Sequence, residues 1–172
     1  MRLSDDDFTL FGLPPLQRLD SHELDARRRE LQAKVHPDRF AHEGAAAQRM
    51  AMQWAVRVNE AYQRLKNPVS RAAYLCELRG VPVDAERNTA MPGAFLTQQM
   101  QWLEALDEAE GADAVGQLDR SVAQQEHDML EELAVLLDER QDNTAAAAQV
   151  RALMFVARFR SDIARRLDTL DA

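Results

Sequence analysis

An imidazole, a ring-locked backbone and a carboxylate follow one another at His36-Pro37-Asp38, at the end of a basic amphipathic stretch and just before Arg39-Phe40. Pro37 restricts His36 to extended geometry and fixes its own φ, so the tripeptide is stiff beforehand and loses little entropy on binding. Asp38 offers two oxygens to a guanidinium, a strong charge-assisted contact once partly desolvated. Three uses fit these residues: a helix-ending turn capped by Asp38, a divalent metal site completed by His42, or a charged tip presented to another molecule. A metal centre needs a third or fourth ligand and groups that orient the imidazoles. His22 and His127 are scattered, however, and Cys76 lies among apolar residues as a small core side chain. There is no glycine-rich phosphate loop, nucleophile elbow or credible triad, so neither ATP chemistry nor a cofactor is expected of this chain.

The elements that must hold this tip are helical. Phe8, Leu10 and Phe11 crowd one or two turns before Gly12 and Pro14, which predicts a short helix docked by its aromatics. Asp20 or Ser21 can cap a second helix running to about Val35, with Leu24, Leu31 and Val35 on one side and Arg28 snorkelling at the core's edge. After residues 36–43, a third helix carries Ala47, Met50, Trp54, Val58, Ala61 and Leu65 at spacings of three or four, and Asn67-Pro68 ends it. Pro68 then opens a fourth helix, with Gly80 as its stop. Residues 81–93, with Pro82, Pro92 and Gly93, read as a linker. Three helical stretches follow, roughly 94–110, 113–140 and 144–170; such short connections predict an antiparallel three-helix bundle.

Composition agrees. Only 6 Gly and 6 Pro among 172 residues, with 46% hydrophobic content, favour an all-α fold with ordinary cores. One cysteine excludes an internal disulfide framework, the acidic Asp5-Asp6-Asp7 start is unlike a signal peptide, and no apolar run reaches membrane-spanning length. A cytoplasmic protein with no membrane partner is expected. The formal charge of −8 is uneven: residues 1–80 carry 13 Lys/Arg against 11 Asp/Glu, and residues 81–139 carry 14 acidic against 2 basic side chains. An acidic chain of this kind is not drawn to phosphate backbones, so no nucleic acid partner is expected. Halves of different charge point instead to two protein partners.

With Phe8-Thr9-Leu10-Phe11-Gly12-Leu13-Pro14, His36-Pro37-Asp38-Arg39-Phe40 and Asn59-Glu60-Ala61-Tyr62 in place, the chain resembles HscB-type J-domain co-chaperones of iron–sulfur cluster assembly. The resemblance implies an N-terminal J-domain over residues 1–80, an antiparallel helical hairpin with short flanking helices, and a scaffold-binding three-helix bundle over residues 94–172. It implies that His36, Pro37 and Asp38, with Arg27, Arg29 and Lys34 on the preceding helix, contact an HscA-like chaperone ATPase. It further implies that the bundle binds an IscU-like iron–sulfur scaffold protein through Leu96, Met100, Glu104, Glu108 and Phe155. Thr97 and Gln101 depart from the apolar and acidic residues of that pattern.

The residues themselves say part of this. On a helical wheel Phe95, Trp102, Leu106 and Ala109 form the inward stripe of the first bundle helix, while Leu96, Met100, Glu104 and Glu108 make a separate i, i+4 line. Phe155 projects about 100° from the inward face of Leu153, Val156, Ile163 and Leu167. The expected function is that of a non-enzymatic adaptor that delivers the scaffold and stimulates the chaperone's ATPase. Two alternatives remain: a general J-domain co-chaperone for unfolded clients, and a metal-dependent hydrolase built on His36, Asp38 and His42.

Overall fold

Helix-forming composition and well-placed caps give seven α-helices and no strand among residues 1–171, the residues that the computed structural model describes. The chain divides into two compact units, Met1–Leu75 and the part that begins at Cys76.

In the first unit, α1 (Asp7–Phe11) starts at Asp6, whose carboxylate accepts the Thr9 N–H, and stops at Gly12 in the left-handed region with φ 65°. α2 (Ser21–Val35) is capped by Asp20, which accepts the His22 N–H, and α3 (Ala45–Lys66) follows Gly44 at φ 96°. α2 and α3 run antiparallel. The Tyr62 hydroxyl, late in α3, donates to Asp25 early in α2, whereas Val35 at the end of α2 shares a groove with Ala47, Ala51 and Trp54 at the start of α3. Leu24, Leu31 and Val35 are buried, as are Val58, Ala61 and Leu65. Arg28 lies at the core's edge, its guanidinium carbon 4.1 Å from the Tyr62 ring centroid.

Met50 does not join that core: it is half-exposed, and Ala51 is buried in its place. At about 100° per residue Ala51 stands nearer the centre of the stripe set by Val58 and Leu65 than Met50 does. α1 is tied to α3 through Asp7, a fully buried carboxylate 2.8 Å from Arg57 Nη1 and 3.2 Å from Arg64 Nη1. The Asp7 N–H also donates to the Tyr74 hydroxyl.

α4 (Pro68–Leu78) is capped by Asn67, which accepts the Val69 and Ser70 N–H groups. The division between the units falls within this helix, between Leu75 and Cys76.

The second unit holds α5 (Gly93–Glu108), α6 (Gly111–Ala134) and α7 (Asn143–Asp171). α6 buries Val115, Val122, Met129 and Leu133, and α7 buries Ala146, Val150, Leu153, Val156 and Ile163, each at helical spacing. The two run antiparallel, because Arg160 pairs with Asp119 and Glu126 while Gln149 donates to the Met129 carbonyl. A π-helical turn, Val135–Glu139, closes α6, and Asp142 caps α7 by accepting the Ala145 N–H. Of residues 81–93, expected as a linker, Gly93 opens α5 and residues 81–92 are irregular but anchored within this unit. Val83 is buried, and the buried Arg151 donates to its carbonyl at 2.7 Å and to that of Ala90 at 2.5 Å.

Candidate functional site

Two surfaces collect the residues with chemistry to offer. The first is the connection between α2 and α3. His36 is extended (φ −60°, ψ 128°) and Pro37–Phe40 forms a 3-10 turn, as the restriction that Pro37 imposes on its neighbour requires. The turn is capped by the imidazole: His36 Nδ1 accepts the Asp38 N–H at 3.3 Å. In the tautomer that accepts at Nδ1, the proton sits on Nε2. Asp38 Oδ2 lies 3.7 Å from that Nδ1, and the Asp38 side chain is 93% exposed. Arg39 folds back and donates to the Ala33 carbonyl at 3.1 Å, satisfying one of the free carbonyls at the end of α2. The turn is thus held by His36, Pro37 and Arg39, and the Asp38 carboxylate is left for other use. Among the described residues no group of three or more His, Cys, Asp or Glu side chains converges to hold a metal ion, and His36, Asp38 and His42 do not converge.

The three basic residues of α2 do not form one patch. Arg27 and Lys34, seven positions apart, share a face and line a cleft of about 290 Å³ with Leu10, Phe11 and Gly12. Arg29 lies about 160° round the helix from Arg27. Arg27 is further engaged with Glu23 at 3.5 Å, and a Cβ at Gly12 would sit 3.1 Å from its Nη1.

The second surface is the outer side of α5. Leu96 is 50% exposed and Met100 72%, and Glu104 and Glu108 are exposed beside them. Phe95 and Trp102 turn inward, as the wheel requires. Phe155 is placed differently from its expected free projection: it is half-buried in a closed set of four rings, with Phe95–Trp102, Trp102–Phe159, Phe159–Phe155 and Phe155–Phe95 centroids all 5.9 Å apart. The neighbouring helix covers what a single-helix wheel counts as outward, so Phe155 bounds the surface rather than standing free on it. Leu103 was passed over by the i, i+4 reading and is 48% exposed on the same side. Its signal lay in the four-then-three spacing from Leu96 through Met100.

Burial raises the pKa of the Cys76 thiol, against a partial lowering by the Arg79 and Arg151 cations, so it stays protonated and is no nucleophile at neutral pH. No described helix is long and apolar enough to cross a membrane.

Residues 91–164 match the family model described as the HSCB C-terminal oligomerisation domain. The chain is 49% identical over 173 residues to a co-chaperone protein HscB homolog of Cupriavidus taiwanensis, covering 99% of this chain and 98% of the relative. It is also 49% identical over 162 residues to the homolog of Bordetella petrii, covering 94% and 95%. Among solved structures it matches chaperone HscB from Vibrio cholerae with a TM-score of 0.87 at 36% identity, over 96% of this chain and 99% of that one. The human co-chaperone protein HscB matches with a TM-score of 0.84 at 25% identity, over 96% and 84%.

Proposed function

This chain belongs to the HscB co-chaperone family, and from that premise we propose that it couples an iron–sulfur scaffold protein to a specialised chaperone ATPase. In this reading residues 1–80 act as the J-domain and residues 94–172 as the scaffold-binding bundle, in the cytoplasm. The observation that carries it is the Asp38 carboxylate, 93% exposed on a turn that other groups hold in place. An exposed carboxylate that accepts no hydrogen bond within its own fold is available to a guanidinium on an HscA-like ATPase. Lys34 and Arg27 on one flank of α2, and Arg29 on the other, steer encounter with an acidic surface. On α5, Leu96 and Met100 supply apolar contact, Glu104 and Glu108 supply charge, and Phe155 supports them from the aromatic set. An IscU-like scaffold binds there, and holding both partners on one molecule raises their effective concentration.

The test is a steady-state ATPase assay of the chaperone with this protein and the scaffold, separately and together. The expected result is synergy, and for Asp38→Asn a loss of stimulation of about tenfold or more, since truncating one partner of a desolvated charge pair costs about 2–5 kcal/mol. Asp38→Asn should leave thermal stability unchanged. Stimulation that persists in this variant rejects the docking assignment, and stimulation indifferent to the scaffold fits a general J-domain co-chaperone instead.

A further inference from the structure

The outer side of α5 carries more than the i, i+4 line drawn through it. At about 100° per residue, positions 96, 100, 104 and 108 precess by about 40° at each step, so that line wanders around the helix. Positions 96, 100, 103 and 107, spaced four, three and four, stay within about 60° of one another, against about 120° for the i, i+4 line. Leu96, Met100 and Leu103 occupy the first three and are 50%, 72% and 48% exposed; Asp107 occupies the fourth and is exposed. The straight stripe is therefore apolar for two turns and then acidic, with Glu104 and Glu108 along one edge.

The acidic end is electrostatically unfavourable for the protein alone. Glu104, Asp107 and Glu108 occupy the C-terminal end of α5, where the helix dipole is negative, and the last turn contains no basic residue. Glu104 and Glu108 are also like charges at i, i+4. Among the described residues none of the three carboxylates has an ion-pair partner within 4 Å. Arg166 reaches this end, but it donates to the Ala109 carbonyl at 3.5 Å. An arrangement that destabilises its own helix is relieved when cations are supplied from outside.

We infer that Leu103 and Asp107 complete a polar-ended docking stripe on α5, whose partner lays an apolar ridge on Leu96, Met100 and Leu103 and a Lys or Arg cluster on Glu104, Asp107 and Glu108. The inference rests on the scaffold-docking reading above and deepens it. It fixes the direction in which the partner lies along α5 and adds two contact residues. The partner is a protein rather than a small cation, because two turns of exposed apolar side chain demand a matching apolar surface.

The experiment measures the affinity of purified iron–sulfur scaffold protein for the full chain and for Leu103→Ala, Asp107→Asn, Leu96→Ala and Met100→Ala, each at low and high salt, with thermal denaturation of every variant. Leu103→Ala should weaken binding by about 5- to 30-fold at both salt concentrations. Asp107→Asn should weaken it by about 3- to 10-fold at low salt, shrinking towards none at high salt. The same Asp107→Asn change should raise the melting temperature of the free protein, because it removes a charge from the wrong end of a helix. Gain of stability with loss of binding is the signature; a carboxylate that merely keeps the surface soluble gives the first without the second. If Leu96→Ala and Met100→Ala weaken binding while Leu103→Ala and Asp107→Asn leave it unchanged, the stripe is overturned and the docking reading stands. If all four bind like the parent, the docking reading fails and the stripe with it.

Discussion

Arg151→Met tests what keeps the second unit's irregular segment in place. The guanidinium is buried and donates to the carbonyls of Val83 and Ala90, 68 and 61 residues away in sequence. A hydrogen bond to a charged group contributes about 1.5–3 kcal/mol. The Ala90 carbonyl sits on an exposed residue and regains water when the donor is lost, so most of the effect comes from Val83, which is buried. Met keeps the side chain's length and relieves the desolvation of a buried cation, which offsets part of the loss. The net is a destabilisation of about 2–3 kcal/mol, or about 5–10 °C in melting temperature for a chain of this size.

A local readout is also available. Arg87 lies between the two anchored carbonyls, in a turn where the Arg87 and Asn88 N–H groups both donate to the Asp84 carbonyl. When segment opening is fast relative to cleavage, trypsin cuts in proportion to the open population, so about 2–3 kcal/mol becomes a rise of about 30- to 150-fold in cleavage after Arg87. Arg151→Lys, which keeps the charge but lacks the guanidinium's fork of donors, should fall between the two. The assay is tryptic digestion followed by mass spectrometry, alongside thermal denaturation. An Arg151→Met protein that melts and is cleaved at Arg87 like the parent refutes the idea that this side chain holds the segment.

Asp7→Ala should destabilise the first unit by about 3 kcal/mol in chemical denaturation, the low end for breaking a buried ion pair, because Arg57 and Arg64 still reach solvent. For the Asp6 carboxyl, burial raises the pKa, but hydrogen bonds from the Thr9 side chain and backbone and from the Phe8 and Asp6 N–H groups outweigh it, and the net shift is downward. A folded pKa below the unfolded one gives stability that is present above about pH 4 and is lost as pH falls through the folded value. The melting-temperature gap between parent and Asp6→Asn should therefore be largest at neutral pH and close under acid. Cys76 should resist iodoacetamide at pH 7.5 in the native state and react fully in denaturant, since burial raises its pKa and encloses it; prompt native labelling would contradict its placement. Phe155→Ala should lower stability by about 1–2 kcal/mol, because two ring contacts are lost from a half-buried position, and any fall in scaffold affinity must be measured on the folded fraction.

Helices, their ends and the position of the tip were legible in the residues, because they follow from forces that act within a few positions. Asp20 caps, Pro68 opens a helix, Gly12 and Gly80 take left-handed φ, Pro37 stiffens the turn, and the repeat of Leu24, Leu31 and Val35 marks a buried side. Leu103 was equally local and was missed only because an i, i+4 line was followed where a four-three spacing runs straighter. Other features were settled by tertiary structure alone. Asp7 in an acidic run reads as a solvated carboxylate until Arg57 and Arg64 are brought to it from α3. Phe155 looks free on its own wheel and is claimed by Phe95 from α5 and Phe159 one turn on. Residues 81–93 have the composition of a linker and are anchored by an arginine more than sixty residues away. A helical period reports which side of one helix avoids water; which distant side chain covers that side, or neutralises a charge on it, is decided only when the elements pack.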